Sequence, residues 1–285
     1  MPEPRKGISR RGAETRRAAA AFSASLRLCV RSVLLTFAVA AGCTAQRTAD
    51  DGIEYREMRS GGRLYQVVRV DLTYADVRLF WKDDAGRPFG SLGALDRWLR
   101  GRGERLLAAT NAGIFYRSRE PAGLHVERGA PPFRPLNTSP DPPPGEGRGN
   151  FFAQPNGVFY ISRSGTANIV ETSGAAAALP QMREATQSGP LLLRRGTPHP
   201  LRGDTTVSRN AVAVCSPREV ALVFAPRGAS IRELALFIRD ELHCPDALYL
   251  DGSISGLRVP SARVRSDGEY VGILGVTPRS AHLPR

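Results

Sequence analysis

The stretch SRNAVAVCSPREVALVFAPRGASIRELALFIRDELHCPDALYLD, residues 208–251, decides the fold. SRNAVAVC (208–215) and EVALVFA (219–225) are rich in β-branched and apolar residues, and Ser216-Pro217-Arg218 separates them as a hairpin turn would. SIRELALFIRDEL (230–242) then changes period. Ile231, Leu234, Ala235, Ile238 and Leu242 fall on one helical stripe, and Ser230 with Glu233 spells a capping box. PDALYLD returns to strand and ends on an acid, Asp251, followed by the small residues of GSISG (252–256). A hairpin, a helix and a further strand, without regular βαβ alternation, argue for an α+β domain.

The flanking sequence agrees. RLYQVVRVDL (63–72), DVRLFWK (76–82), RLLAATNAGIF (105–115), GVFYIS (157–162) and YVGILGV (270–276) read as strands. ATQSGPLLLRRG (185–196) reads as a strand broken at Gly189-Pro190. SLGALDRWLRGRG (91–103) places Leu92, Leu95, Trp98 and Leu99 on one helical face, with Ser91 as its cap. The expected fold is one domain, mainly β, with a mixed sheet and two or three helices. Residues 127–150 carry too much Pro and Gly for regular structure, and a loop of that length inside a compact domain is usually functional or disordered.

The N-terminus reads as a targeting segment. RLCVRSVLLTFAVAAGC (27–43) has basic residues, a short apolar run and a small-residue end, which is a secretory signal too short to span a bilayer. Ala40-Ala41-Gly42-Cys43 resembles a lipobox, so Cys43 is the expected lipidation site of a bacterial exported protein, periplasmic or at the cell surface. Ordinary secretion with an incidental Cys43 is the alternative. The expected organisation is a basic extension and signal (1–43), a polar tether (44–52), the folded domain (53–278) and a tail (279–285).

The net charge is +13, with 40 basic and 27 acidic residues. Residues 1–42 account for +6 of it and the rest for +7. All the basic residues except Lys6 and Lys82 are Arg. No basic run interleaves with aromatics after residue 43, so nucleic acid is not an expected partner. A moderate positive field suits an anionic ligand. Two cysteines remain in the folded part, Cys215 and Cys244, and in an exported chain they are expected to pair, unless they are two buried thiols that never meet. His125, His199, His243 and His282 lack metal-ligand spacing, and no metal site is expected, although a divalent cation brought by a phosphate substrate stays open.

Four strand ends are followed by small polar residues: Thr110-Asn111-Ala112-Gly113, Gln187-Ser188-Gly189-Pro190, Ser208-Arg209-Asn210 and Asp251-Gly252-Ser253. Glycine beside a polar residue lets a ligand approach backbone N–H groups. Singly, each motif is also what a turn or bulge looks like. GSISG is not a nucleophile elbow, because Ile254 holds the middle place. No dinucleotide fingerprint or phosphate loop is present.

In order, TNAGIF, GLHVERG, PLNT, GNFF, PNGVFYI, ATQSGPLLL, SRNAVAV and DALYLDGSISGL closely resemble the phosphodiester glycosidase family. The resemblance covers residues 65–276. It implies an α+β fold and hydrolysis of a glycosyl-1-phosphodiester in exported glycan or exopolysaccharide metabolism. One departure stands out: many relatives carry a D-G-G-G-S-S-type loop where this chain has Asp251-Gly252-Ser253-Ile254-Ser255. Such chemistry needs a carboxylate near the sugar C1 and cationic or N–H donors around the phosphate. Asp251 is the expected carboxylate, as base or nucleophile, and Arg209 the expected phosphate contact. Asn111, Gln187, Ser188 and Asn210 are expected to orient the sugar or phosphate, with Gly113, Gly189, Gly252 and Ser253 leaving room for it. Glu127, Glu184 and Asp204 are unranked candidates for a second carboxylate. The competing class is a non-catalytic glycan-binding lipoprotein using the same pocket.

Overall fold

The computed structural model describes residues 45–48, 51–200, 205–266 and 268–279. The signal, Cys43 and Asp204 lie outside them. The strands are β1 (Ala45–Thr48), β2 (Ile53–Ser60), β3 (Arg63–Asp71), β4 (Ala75–Phe80), β5 (Ala108–Asn111), β6 (His125–Val126), β7 (Gly157–Ser162) and β8 (Ala167–Glu171). They continue as β9 (Met182–Ser188), β10 (Leu191–Arg194), β11 (Thr197–Pro198), β12 (Val207–Ser216), β13 (Glu219–Ala229), β14 (Asp246–Asp251), β15 (Leu257–Arg258) and β16 (Ile273–Pro278). The helices are α1 (Leu92–Arg100), α2 (Thr172–Ala175) and α3 (Ile231–Asp240).

The chain is mainly β with three helices, as expected, but the sheet is not single and mixed. Three sheets form, in the orders β1-β2-β3-β13-β12-β14-β10-β11, β15-β5-β16-β4 and β6-β9-β7-β8. Every pair described is antiparallel. Hairpins and returning strands build each sheet, so no helical crossover between parallel neighbours is needed.

The apolar runs of β12, β13 and β14 follow from burial on both faces. Val212, Val214, Val220, Leu222, Leu248 and Leu250 point to one side and pack with Val77, Leu79, Phe159, Ile169, Leu274 and Val276 from the two smaller sheets. The alternate residues Ala211, Ala213, Ala221, Val223, Ala247 and Tyr249 point to the other side and pack under Ile231, Leu234, Ala235 and Ile238 of α3. Small residues on the helix side let α3 approach the sheet closely. The capping box of α3 is complete, with Ser230 Oγ accepting from Glu233 N at 3.1 Å and Glu233 Oε2 accepting from Ser230 N at 2.7 Å. Helix α1 is capped by Ser91 and covers the outer face of the second sheet through Leu92, Leu95 and Leu99. Cys215 and Cys244 are disulfide-bonded, tying the end of β12 to the segment between α3 and β14. That pairing is consistent with an oxidising, extracytoplasmic setting.

Candidate functional site

Strand β14 does not end cleanly. Its register against β12 runs Ala211 with Tyr249 and then Asn210 with Asp251, so Leu250 is an extra residue. Such a bulge bends a strand and re-aims the side chain beside it, here Asp251. Ser188 Oγ holds the bulge by donating to the Leu250 carbonyl at 3.0 Å. Asp251 is half-buried, and burial pushes its carboxyl up to about 6, opposed by the Gly252 N–H that it accepts at 2.6 Å. A carboxyl near 6 exchanges protons close to neutral pH.

Loop 251–256 then lies against two polar clusters. On the α3 side stand Arg209 and Tyr249. Arg209 is buried, with Nε donating to the Ala229 carbonyl at 2.6 Å, Nη2 to the Thr205 carbonyl at 2.6 Å and Nη1 to Tyr249 Oη at 2.7 Å. Three of the five guanidinium N–H groups are thereby committed and two are left. Burial pushes the Tyr249 hydroxyl up to about 12, so it stays protonated; Asn150 Nδ2 also donates to it at 3.3 Å. Gly252 belongs here because a Cβ would sit 2.9 Å from Tyr249 Oη and 4.0 Å from Arg209 Nη1.

On the other side Asn210 reaches β5. Its Nδ2 donates to Thr110 Oγ1 at 2.7 Å and to Asn111 Oδ1 at 2.9 Å. Asn111 Oδ1 also accepts from Gly256 N at 2.9 Å, which fastens the far end of the loop. Ser255 Oγ lies 3.1 Å from Asn210 Oδ1. Asn111 Nδ2 is buried and has no acceptor among the described residues. A buried amide donor left unfilled is costly and suits a ligand oxygen.

The structure therefore gathers Asp251, Arg209, Gly252, Asn210 and Asn111 around one loop, with Ser253 exposed on it. The remaining expected residues brace the surroundings. Gln187 is fully occupied: Oε1 accepts from Leu124 N at 3.0 Å and Asn137 N at 2.9 Å, while Nε2 donates to the Asn137 carbonyl at 2.7 Å and Thr172 Oγ1 at 3.0 Å. It pins Asn137, near the middle of the long 127–150 loop, to β9. A Cβ on Gly113 would overlap the Gln187 carbonyl, and one on Gly189 would sit 2.7 Å from Asn156 Cβ.

The candidate second carboxylates are committed. Glu184 is buried between β4 and β9, accepting from Leu79 N at 2.9 Å and Arg128 N at 3.2 Å; burial outweighs those bonds and pushes it up to about 7. Glu127 Oε1 lies 2.7 Å from His125 Nε2. Among the described residues no group of three or more His, Cys, Asp or Glu is placed to hold a metal ion, and no helix is long and apolar enough to cross a membrane. Tyr249, Asn150 and Thr110 were given no site role from the sequence, although Thr110 opens one of the four polar strand ends and Tyr249 stands two residues before Asp251.

Residues 104–269 match the family described as phosphodiester glycosidase, more than half of the chain. The uncharacterized protein YigE of Escherichia coli (strain K12) is 30% identical over 182 residues, which is 63% of this chain and 68% of YigE. Among solved structures, the zebrafish N-acetylglucosamine-1-phosphodiester alpha-N-acetylglucosaminidase catalytic domain, auto-inhibited by its pro-peptide, superposes with a TM-score of 0.56. That comparison has 14% identity and covers 84% of this chain and 87% of that one. A hypothetical protein from Synechocystis superposes with a TM-score of 0.53 at 16% identity, over 85% of this chain and 65% of that one. At such identities the two structures share a fold with this chain.

Proposed function

Because this chain belongs to the phosphodiester glycosidase family, we propose that it hydrolyses a glycosyl-1-phosphodiester at the sugar C1–O bond, with Asp251 as the working carboxylate. The observation that carries this assignment is Asp251 itself: a half-buried carboxyl held near 6 at a bulged strand end, beside a loop of small residues. Ionised, it accepts a proton from water as the water oxygen attacks C1. The C1–O bond breaks with its electron pair kept by the phosphate oxygen. The products are a reducing sugar and a phosphate monoester. Phosphate is a good leaving group, so a strong general acid is less needed than in an ordinary glycosidase.

Arg209 supplies positive charge next to that leaving group, and its anchoring to two carbonyls and Tyr249 keeps the charge in place without reorganisation. Asn111 Nδ2 is the donor we assign to a substrate oxygen. Gln187, Ser188, Gly113 and Gly189 act as positioning residues behind the site. The setting we propose is exported glycan metabolism, with the chain held to a bacterial membrane through Cys43. Cys43→Ala is expected to move the protein from the membrane fraction to the soluble exported fraction, and an unchanged distribution would remove the anchor.

The test is a panel of hexose- and N-acetylhexosamine-1-phosphodiesters given to the wild type and to Asp251→Asn. Wild type is expected to release sugar, and Asp251→Asn to lose at least about a hundredfold in kcat while still binding substrate. Tight binding with no release by the wild type would instead identify a glycan-binding protein.

A further inference from the structure

A largely apolar pocket that carries one lysine opens at the same end of the second sheet as Asn111. Phe80 of β4, Ile273 of β16 and Asn111 of β5 lie in register. Strands β4 and β5 both run antiparallel to β16, so Trp81 and Ala112 emerge together, two strand spacings or about 10 Å apart. Trp81, Lys82, His125, Glu127, Pro131 and Phe133 line a cavity of about 190 Å³ there. That is below the roughly 300–1,000 Å³ of pockets for drug-sized ligands and suits a single ring.

The side chains in it are unusual for this chain. Lys82 is the one lysine after residue 6 in a sequence whose other basic residues are arginine. Its Nζ lies 3.8 Å from the Trp81 ring centroid and 5.0 Å from that of Phe133, and no carboxylate pairs with it among the described residues. Trp81 is buried, and its Nε1–H has no acceptor among the described residues. Phe133 is 52% exposed, an aromatic face turned to solvent at the pocket wall. It is fixed there because Phe133 N donates to the His125 carbonyl at 2.9 Å and its ring meets Trp81 edge-on at 4.1 Å. Glu127, the acid in the pocket, is occupied by His125. Packing carries this pocket toward the candidate site: Ala112 N donates to the Gly272 carbonyl at 2.8 Å, and a Cβ on Gly272 would meet Ala112 Cβ at 3.1 Å and His125 Cε1 at 3.7 Å.

A cation with no carboxylate partner among the described residues and an exposed aromatic face beside it suit a ligand with an apolar ring face and an anionic group. Resting on the hydrolase reading above, we propose that this pocket is a second saccharide subsite, which selects substrates whose neighbouring sugar carries an anionic group. Phe133 stacks on the ring, and the Lys82 ammonium receives the anion. Carboxylate and phosphate share that chemistry.

Binding is read by tryptophan fluorescence on the full chain. The probes are a hexuronate oligosaccharide, a hexose-6-phosphate and a neutral oligosaccharide of matched length. Either anionic probe is expected to bind about tenfold tighter than the neutral one, and that preference should vanish in Lys82→Met and weaken in Phe133→Ala. Which of the two binds tighter names the anion. Equal affinity for all three probes, or a preference that survives Lys82→Met, overturns the subsite. Turnover of simple sugar-1-phosphodiesters is measured separately. Its absence with anion-selective binding intact removes the hydrolase reading and leaves the subsite; turnover without selectivity removes the subsite alone.

Discussion

Asp251 is held in a form that disfavours its own charge. Burial raises its carboxyl from the usual carboxylate range to about 6, so the native state binds a proton that the unfolded chain releases. Stability is therefore expected to fall as pH rises from about 4 to about 6 on account of this group, and to level off above it. Asp251→Asn keeps an oxygen for the Gly252 N–H and removes the charge. It should raise stability by about 1–2 kcal/mol at pH 8, a gain that fades as pH drops through 6 to 4, read by thermal unfolding across that range. A group that costs stability at a proposed active site fits the usual trade between function and folding. Gly252→Ala tests the other side of the loop. Its Cβ would press on Tyr249 Oη, so kcat/KM should drop about tenfold with stability changed by no more than ~1 kcal/mol, checked by kinetics beside denaturant unfolding. At this scale Asp251 and Arg209 were legible because a charged residue at the end of an apolar strand asks for a reason. The roles of Asn150 and Thr110 were not, since their partners lie 99 and 100 positions away in the chain.

Elements were legible where local chemistry was strong. Helix α3 begins where Ser230 and Glu233 said it would, and α1 begins after Ser91. Strand β14 ends on Asp251, and the break at Gly189-Pro190 separates β9 from β10. Strands β2 and β8 were passed over. In IEYREMRS the face that buries Ile53 and Tyr55 carries Glu57 and Arg59 further on, so the alternation breaks midway, and β8 is short. The last strand runs from Ile273 to Pro278 rather than from 270, because Tyr270 turns into the core beside Phe80 and Leu95 instead of joining the ladder. The bulge at Leu250 could not be read either, since it exists only relative to β12. The cap of α3 gives the direct test at this scale. Ser230→Ala leaves Glu233 N without its acceptor and should cost about 1 kcal/mol in denaturant unfolding, with the disulfide intact in both proteins.

For the whole molecule, the architecture places the proposed site where sheets meet. The end of the eight-stranded sheet carries Arg209, Asn210 and Asp251, and the second sheet brings Asn111 against it through the Asn210 amide. Family and fold class were readable from ordered motifs, whereas the division into three antiparallel sheets was not. Alternation sets which faces are buried, and long-range pairing sets which strand lies beside which. The Cys215–Cys244 bridge closes a 29-residue separation across this assembly. Reducing it should lower stability by roughly 3–4 kcal/mol in the chain-entropy account, measured as the shift in urea midpoint with and without reductant. The central claim concerns which bond breaks. Hydrolysis of a sugar-1-phosphodiester in ¹⁸O-water, followed by mass spectrometry of both products, reads it directly. The account predicts the label on the sugar hydroxyl at C1 and none in the phosphate monoester, with both products lost in Asp251→Asn. Label in the phosphate, or products undiminished in Asp251→Asn, would contradict it.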